Sequence, residues 1–260
     1  MRFDGLSRAV AAVLMVLALA ALTGCATVAT SPNATPGQRL DPWENWNRKV
    51  FAFNERLDEK LLKPVATAYN NVVPSLVRTG VGNFFGNFSD AWSAVNNLLQ
   101  GKLESAFRDV FRVGTNTFFG LGGVLDVASD LGLDRSNEDL GQTFGRWGMA
   151  PGAYIVWPVL GPSTVRESIA LPFDRWLSSP AIVTSGSLAQ ASVTSLQLVN
   201  TRASLLGASR LIDDIALDKY TFLRDAYLQR RRSLIYDGNE PEEPDPDPPA
   251  PGPAASAPAK

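Results

Sequence analysis

The sequence predicts a mainly α-helical fold, and two observations support that prediction. Apolar residues recur every three or four positions over long stretches, which is the period of a helix with one apolar face. Strand-like alternation is confined to short ambiguous pieces such as "AYIVW" at residues 153–157. The 260 residues are 45% hydrophobic and 19% charged, a balance that excludes both a wholly disordered chain and a polytopic membrane protein.

The first helix is predicted to begin in the phrase "DPWENW". Asp41 suits the N-cap, Pro42 the first helical position and Glu44 the third, so we expect a capping box here. Apolar residues then recur along one face and charged residues along the other. Trp43 and Trp46, at the start of this helix, fit either core packing or a membrane interface.

A second apolar series has an unusual opposite face. The series keeps helical spacing and consists of Val77, Val81, Phe84, Phe88, Trp92, Val95 and Leu99. We expect Gly86 to break or kink this helix. Where a solvated helix would carry Lys and Glu, the opposite face carries neutral polar residues, namely Asn83, Asn87, Ser93, Asn96 and Asn97. Such a face fits either the lining of a passage for an amphipathic molecule or a tightly packed helical core.

Charge-free stretches recur at residues 113–125, 147–165 and 177–201. The second is nearly apolar enough to span a bilayer, but the three prolines within it forbid a continuous helix. Arg112 and Asn116 lie one helical turn apart, and they suit either a headgroup phosphate or hydrogen bonds within the core.

The N-terminus has the features of a bacterial lipoprotein signal. A short charged region precedes an apolar run, and residues 1–24 are therefore predicted to form a signal peptide. The run ends in "LTGC", which resembles a lipobox, so Cys25 is the expected lipidation site; the alternative is an ordinary export signal with a chance cysteine. Ala26 is not the aspartate that typically retains lipoproteins at the inner membrane, which indicates the periplasmic leaflet of the outer membrane.

Composition divides the rest of the chain into three parts. Residues 25–40 are small, polar and Pro/Gly-bearing, as expected of a flexible tether. Residues 41–236 form one folded unit with a nearly neutral charge, which gives no indication of nucleic-acid binding. Residues 237–260 carry eight prolines and six acidic residues, and are predicted to be a disordered tail.

The amino-acid composition excludes most of the familiar mechanisms of enzymatic hydrolysis. The chain has no histidine and one cysteine, which excludes Ser-His-Asp and Cys-His systems and His/Cys zinc sites. No P-loop is present, so transport would be passive or driven by another protein. Asp213, Asp214 and Asp218 suit a carboxylate site or, more commonly, solvated ion pairs on a charged helix. We therefore expect a protein that is not an enzyme, with no catalytic residue, metal or cofactor.

Five ordered motifs resemble one family. The phrases are "DPWENWNRKVFAFNERLD", "NNLLQGK", "RVGTNTFFGLGGVLDVA", "DLGQTFGRWGMAPGAYIVWPVLGPSTVRES" and "DKYTFLRDAYLQRR". Over residues 41–238 the chain is similar to the MlaA (VacJ) lipoproteins of Gram-negative outer membranes. The resemblance implies a compact ring-like helical domain lying in the inner leaflet of the outer membrane and enclosing an amphipathic channel.

The resemblance also implies a function. Such proteins associate with trimeric porins, extract mislocalised phospholipids from the outer leaflet and pass them to the periplasmic carrier MlaC. The candidate channel or headgroup contacts are Asn83, Asn87, Asn96, Arg112 and Asn116. The candidate membrane-interface aromatics are Trp43, Trp46, Phe84, Phe88 and Trp92. The alternatives are a structural lipoprotein that tethers porins and a carboxylate-dependent envelope hydrolase.

Overall fold

A computed structural model describes Gly37 and residues 40–241. The predicted signal peptide and Cys25 lie outside these residues, as do most of the predicted tether and of the acidic tail. Their assignments stay predictions.

The described chain is mainly helical, which confirms the predicted fold class. In chain order the elements are α1 (Glu44–Leu57), a π-helical turn (Asp58–Leu62), α2 (Lys63–Val72), α3 (Ser75–Leu99), α4 (Leu103–Phe118), α5 (Val127–Asp130), α6 (Leu140–Arg146), β1 (Tyr154–Trp157), β2 (Gly161–Thr164), α7 (Val165–Leu177), a 3₁₀ helix (Pro180–Val183), α8 (Ser187–Ser204), α9 (Leu206–Ile215) and α10 (Lys219–Ile235). Within the described part of the chain, no helix is both long and apolar enough to cross a bilayer.

The predicted capping box at the start of α1 is wrong. Trp43 precedes the first helical residue, and no side chain caps the helix. Asp41 is instead buried, and its carboxylate accepts hydrogen bonds from Asn47 Nδ2 (2.8 Å) and the Tyr220 hydroxyl (2.5 Å). A carboxylate this deeply buried needs partners for its oxygens. Asp41 therefore ties the start of α1 to α10.

Helices α3 and α4 form a hairpin with the most extensive helix–helix contact of the fold. The connection spans residues 100–102, and Gly101 adopts a left-handed conformation with φ +77°, which glycine reaches without steric cost. The predicted break at Gly86 is absent, since α3 runs without interruption over 25 residues. A Cβ at Gly86 would lie 2.1 Å from Arg135 Nη1, so this glycine makes room for a guanidinium.

The only strands among the described residues form a two-stranded antiparallel hairpin. Tyr154 lies opposite Thr164, and Trp157 lies opposite Gly161. Part of the ambiguous piece "AYIVW" is therefore β1. At the turn Val159 has φ +67°, a conformation that is sterically unfavourable for a β-branched residue.

The apolar core is small for a domain of this size. One cluster joins α1, β1 and α10 through Val50, Tyr154, Val156 and Tyr220. A second joins α2 to α8 and α9 through Ala66, Ala203 and Leu206. Most of the remaining buried side chains are polar or charged.

Candidate functional site: a polar interior beneath an apolar surface

Helix α3 buries its polar face and exposes its apolar face. Asn87, Asp90, Ser93, Asn96 and Asn97 are all buried. On the outer side, large apolar side chains are exposed by about half, namely Val77 (52%), Val95 (44%), Leu98 (59%) and Leu99 (43%). This distribution is the reverse of that in a water-soluble helix, whose apolar face packs inward.

Helix α4 completes the polar interior from the other side. Asp109 is fully buried and accepts hydrogen bonds from Ser93 Oγ (2.8 Å), Asn97 Nδ2 (2.8 Å) and Ser136 Oγ (3.0 Å). The neutral polar residues of α3 thus surround a buried carboxylate with donors. Hydroxyl and amide donors offset part of the desolvation cost of that carboxylate.

Arg112 of α4 is the centre of a buried ion-pair cluster. Its side chain is fully buried, with Nε 3.2 Å from Asp90 and Nη2 2.9 Å from Asp126. Nη1 donates to the Ser129 hydroxyl (3.3 Å) and to the Leu133 carbonyl oxygen. The arginine therefore joins α3, α4 and the segment of residues 119–139 that follows α4.

Asn116 fixes the same segment one turn later. Its Nδ2 donates to Asp126 (3.0 Å), and its Oδ1 accepts the backbone N–H of Ala128 (2.9 Å). Asp126 also caps α5 by accepting from Ser129 N (3.3 Å). Together these contacts hold the start of α5 against α4.

The two carboxyls of the cluster are shifted in opposite directions. Burial raises the pKa of Asp90, although Arg135 and Arg112 oppose this effect. Burial also acts to raise the pKa of Asp126, but hydrogen bonds from Ser129 and Asn116 and the two guanidiniums hold that pKa below its usual value. Asp126 is therefore the carboxyl whose ionised form is best stabilised.

The predicted headgroup contacts are mainly interior groups. Asn96, Arg112 and Asn116 are at most 1% exposed, and their hydrogen bonds hold neighbouring segments together. Asn83 is more accessible and donates to the Val124 carbonyl (3.1 Å), and Asn87 donates to the Thr117 hydroxyl (3.1 Å). Headgroup contact by these side chains stays a prediction, and for the three most buried residues this structure does not favour it.

The predicted interface aromatics separate into two groups. Trp43 and Trp46 are exposed by 47% and 59%, so they are available to an interface. Phe84 and Phe88 are half-buried and stack edge to face, with ring centroids 5.4 Å apart. Trp92 is also half-buried, and its indole N–H donates to Asp174 (2.7 Å) on α7. A direct interfacial role stays a prediction for all five.

Large apolar side chains cover several outer faces of the molecule. On α4 the residues more than half exposed are Leu103, Phe107, Val110, Phe111 and Phe118. On α7 the same holds for Ile169, Phe173 and Trp176, which keep helical spacing. Soluble monomers rarely expose contiguous apolar patches of this kind, which mark contacts with protein, ligand or lipid.

The described surface includes an apolar groove and a larger, amphipathic cavity. The groove has a volume of about 390 Å³ and lies between α3 and α4, lined by Ala94, Val95, Leu98, Phe107 and Val110 among others. The larger cavity has a volume of about 700 Å³ and lies between α6, the start of the hairpin and α10. Its wall is amphipathic and includes Gly145, Met149, Arg166, Leu228, Arg231 and Ile235. None of the predicted headgroup contacts lines either cavity.

The arginines of the larger cavity are paired with acids. Arg231 forms a bidentate ion pair with Asp139, with distances of 2.6 and 2.8 Å, and Arg166 Nη2 lies 2.6 Å from Glu167. Burial acts to raise the pKa of Asp139, yet the Arg231 guanidinium and the Gln142 N–H hold it below its usual value. The polar part of the cavity wall therefore carries no large uncompensated charge.

Sequence reasoning missed the asparagines that position the hairpin. Asn47 Nδ2 donates to the Tyr154 carbonyl (3.0 Å), and its Oδ1 accepts from Val156 N (2.9 Å). Two turns later Asn54 Nδ2 donates to the Trp157 carbonyl (2.9 Å), and its Oδ1 accepts from Val159 N (2.8 Å). The signal in the sequence was a pair of asparagines seven residues apart on one helix face.

Two of the three carboxylates of the hydrolase alternative have structural partners, and the third, Asp214, is exposed. Asp213 lies 2.7 Å from Lys219, whose hydrogen bond lowers the pKa of Asp213. Asp218 caps α10 and lies 2.7 Å from Arg48, whose hydrogen bond lowers the pKa of Asp218. Among the described residues, no group of three His, Cys, Asp or Glu could hold a metal ion. These placements give the hydrolase alternative no support.

Comparisons with known proteins agree with this architecture. Residues 39–234 match the family model "MlaA lipoprotein". The "Intermembrane phospholipid transport system lipoprotein MlaA" of Haemophilus influenzae is 32% identical over 85% of this chain and 89% of its own length, and that of Escherichia coli is 33% identical over 85% and 88%.

An uncharacterised protein of Rickettsia bellii is 32% identical over 75% of this chain and 76% of its own length. A solved structure, described as the structural basis for maintenance of bacterial outer membrane lipid asymmetry, matches with a TM-score of 0.66 and 32% identity. That match covers 75% of this chain and 98% of the other. The chain belongs to the MlaA lipoprotein family.

Proposed function

We propose that this protein is an outer-membrane lipoprotein that removes mislocalised phospholipids from the outer leaflet and passes them to the periplasmic carrier MlaC. The function maintains the lipid asymmetry of the outer membrane. The observation that carries the proposal is the reversed distribution of side chains, with a polar interior under an apolar surface. Membership of a family whose characterised relatives bear phospholipid-transport names supports it.

The apolar outer faces suit a position within one leaflet. The side chains of Phe107, Phe111 and Phe173 are exposed by 63%, 66% and 54%. In a lipid environment such surfaces lose nothing by remaining exposed, whereas in water they would favour aggregation. The acyl chains on Cys25 hold the protein at the membrane. A single buried chain binds a membrane only marginally, whereas more than one anchors a protein stably.

The larger cavity is the favoured start of the lipid passage. A phospholipid headgroup that crosses hydrocarbon leaves polar atoms unsatisfied, at a cost of several kcal/mol each. The paired arginines of the cavity offer hydrogen-bonding groups, while Met149, Leu228 and Ile235 offer apolar contact for acyl chains. Because Arg166 and Arg231 are already neutralised by acids, they stabilise a headgroup without trapping it.

A cell assay tests the function and the cavity together. Surface-exposed phospholipid is measured in cells that lack the gene and are complemented with wild type, Cys25→Ser or Ala150→Trp. Ala150 is exposed in the wall of the larger cavity, so tryptophan narrows the cavity without disturbing a packed core. Of these three proteins, we expect only wild type to restore a low level of surface-exposed phospholipid.

Ala208→Trp is the matched control, because Ala208 is exposed on α9 away from the cavity. It should restore asymmetry as wild type does. Full restoration by Ala150→Trp would overturn the passage and favour a structural lipoprotein that tethers porins. No rise in exposed phospholipid on deletion would overturn the transport function itself.

A further inference from the structure

The corner between α2 and α3 exposes apolar side chains without a partner. Helix α2 ends at Val72 and α3 begins at Ser75. Val72, Leu76 and Val77 are exposed by 79%, 85% and 52%, which are high values for residues of this type. We call Val72, Leu76, Val77 and Arg78 the α2–α3 corner.

Arg78 is the cation of this corner, and it has no partner in the described chain. Its guanidinium makes no hydrogen bond or ion pair with Gly37 or with any of residues 40–241, and its Nε is buried without an acceptor. Asp90, the other charged residue of α3, is by contrast paired with Arg112. The N–H groups of the Arg78 guanidinium are therefore not used by any acceptor among the described residues, which leaves the cation able to bind an anion from outside the chain.

The surrounding sequence supplies no anion. Residues 64–89 contain Arg78 as their single charged residue, so no carboxylate lies along the chain close to it. The methylene stem of an arginine can lie along apolar surface while its head reaches a polar layer. The planar guanidinium matches phosphate oxygens in a bidentate geometry.

An apolar corner with one free arginine matches the boundary of a bilayer, where acyl chains meet the phosphate layer. We propose that the α2–α3 corner binds the phosphate group of a membrane phospholipid through Arg78. Val72, Leu76 and Val77 contact the acyl chains of the same leaflet. The inference rests on the proposed membrane position and is independent of the lipid passage at the larger cavity.

Photo-crosslinking from the corner tests the inference. The full-length acylated protein carries Leu76→p-benzoylphenylalanine and is placed in nanodiscs of phosphatidylethanolamine and phosphatidylglycerol. Adducts are identified and counted by mass spectrometry. We expect phospholipid adducts whose yield falls about five-fold in Arg78→Gln, which is the effect of one basic residue near a membrane surface. Arg78→Lys should give an intermediate yield, since it keeps the charge and loses the bidentate geometry.

Arg210→Gln is the matched control, because Arg210 is an exposed arginine of α9 with no partner among the residues in the structure. It should leave the yield unchanged. An equal yield from Arg78→Gln and Arg210→Gln would overturn the proposal, as would adducts at Leu76 formed mainly with protein. Suppression by inorganic phosphate, but not by chloride at equal ionic strength, would identify a site for free anions and would also overturn it.

A second measurement uses the chain without a change at Arg78. Part of the phospholipid in the nanodisc is replaced by diacylglycerol, which has the same acyl chains and no phosphate. We expect fewer adducts per diacylglycerol than per phospholipid, and an equal yield would contradict phosphate recognition. Because the readout is adduct yield, failure of the cell assay alone would contradict the transport function and leave this site intact.

Discussion

Arg112 shows how a charged side chain can be an interior residue of this fold. It is fully buried between Asp90 and Asp126, and it also binds the backbone near α5. The sequence left two roles open for it, a headgroup contact and a core hydrogen-bonding group. The geometry favours the second, since its donors are already used by protein acceptors.

Replacing this arginine should therefore be costly. Arg112→Met leaves the carboxylate of Asp90 buried with Arg135 as its remaining charged partner. We expect a loss of about 3–5 kcal/mol in the free energy of unfolding, the usual cost of removing one member of a buried ion pair. Chemical denaturation monitored by circular dichroism measures it.

The control is Arg210→Met on exposed α9, for which a change within about 0.5 kcal/mol is expected. Combining Arg112→Met with Asp90→Asn should recover part of the loss, because the second change removes the buried charge. A loss no larger than that of the control would show that the ion-pair cluster contributes little.

Asp139 should make the stability of the fold depend on pH in the acidic range. Its pKa is held below the usual value in the folded state by Arg231 and Gln142. The resulting stability is fully present above the unfolded pKa of about 3.9 and is lost as pH falls through the lower folded pKa. The stability of Asp139→Asn should therefore fall less than that of wild type between neutral pH and about pH 3.

Unfolding midpoints measured at a series of pH values test this. Asp214→Asn is the control, because Asp214 is exposed and has no partner within the described residues. Its curve should parallel that of wild type. If Asp139→Asn shows the same acid dependence as wild type, the Asp139–Arg231 pair is not its source.

At the scale of the element, the sequence predicted the helices well and the orientation of α3 only in part. Helical spacing and the neutral asparagine face were both visible without a structure. Which face is buried depends on the surroundings of the helix. The same apolar periodicity occurs in a helix that turns its apolar face inward in water and in one that turns it outward in lipid. The capping box at Asp41 failed because a distant hydroxyl, Tyr220, binds that carboxylate.

The role of Gly86 was hidden for the same reason. Local propensity marks a glycine in a helix as a weak point, but here the missing side chain admits Arg135 from a segment almost 50 residues away. The larger cavity could not be predicted from the sequence either, because its arginines, Arg166 and Arg231, are 65 positions apart in the chain.

Two glycine substitutions distinguish the effect of close packing on stability from the effect of helix propensity. Gly86→Ala should destabilise the fold, because the new Cβ displaces the Arg135 guanidinium from Asp90 and Asp126. Gly114→Ala on α4 should stabilise it by about 0.5–1 kcal/mol, because its Cβ meets no atom within 4 Å and alanine is the better helix former. Thermal unfolding of both variants measures the difference, and equal effects would contradict the packing role of Gly86.

At the scale of the whole molecule, the apolar outer surface should control membrane association. Phe107→Lys and Phe111→Lys introduce charges on the exposed face of α4. We expect the double variant to remain folded and to float less with phospholipid vesicles when the Cys25→Ser background removes the acyl anchor. A double lysine substitution at exposed Ser192 and Gln190 on α8 is the control. Equal flotation of the two variants would contradict a lipid-facing α4.

The small apolar core has a thermodynamic consequence. The heat-capacity change of unfolding arises mainly from apolar surface that becomes hydrated, and it is about 12–15 cal/mol/K per residue in ordinary globular proteins. Here the two apolar clusters are small, and many large apolar side chains are exposed before unfolding begins. Calorimetry of the Cys25→Ser chain should therefore give a smaller value per residue. Its stability curve should be correspondingly flat, so that the fold changes little in stability over a wide range of temperature.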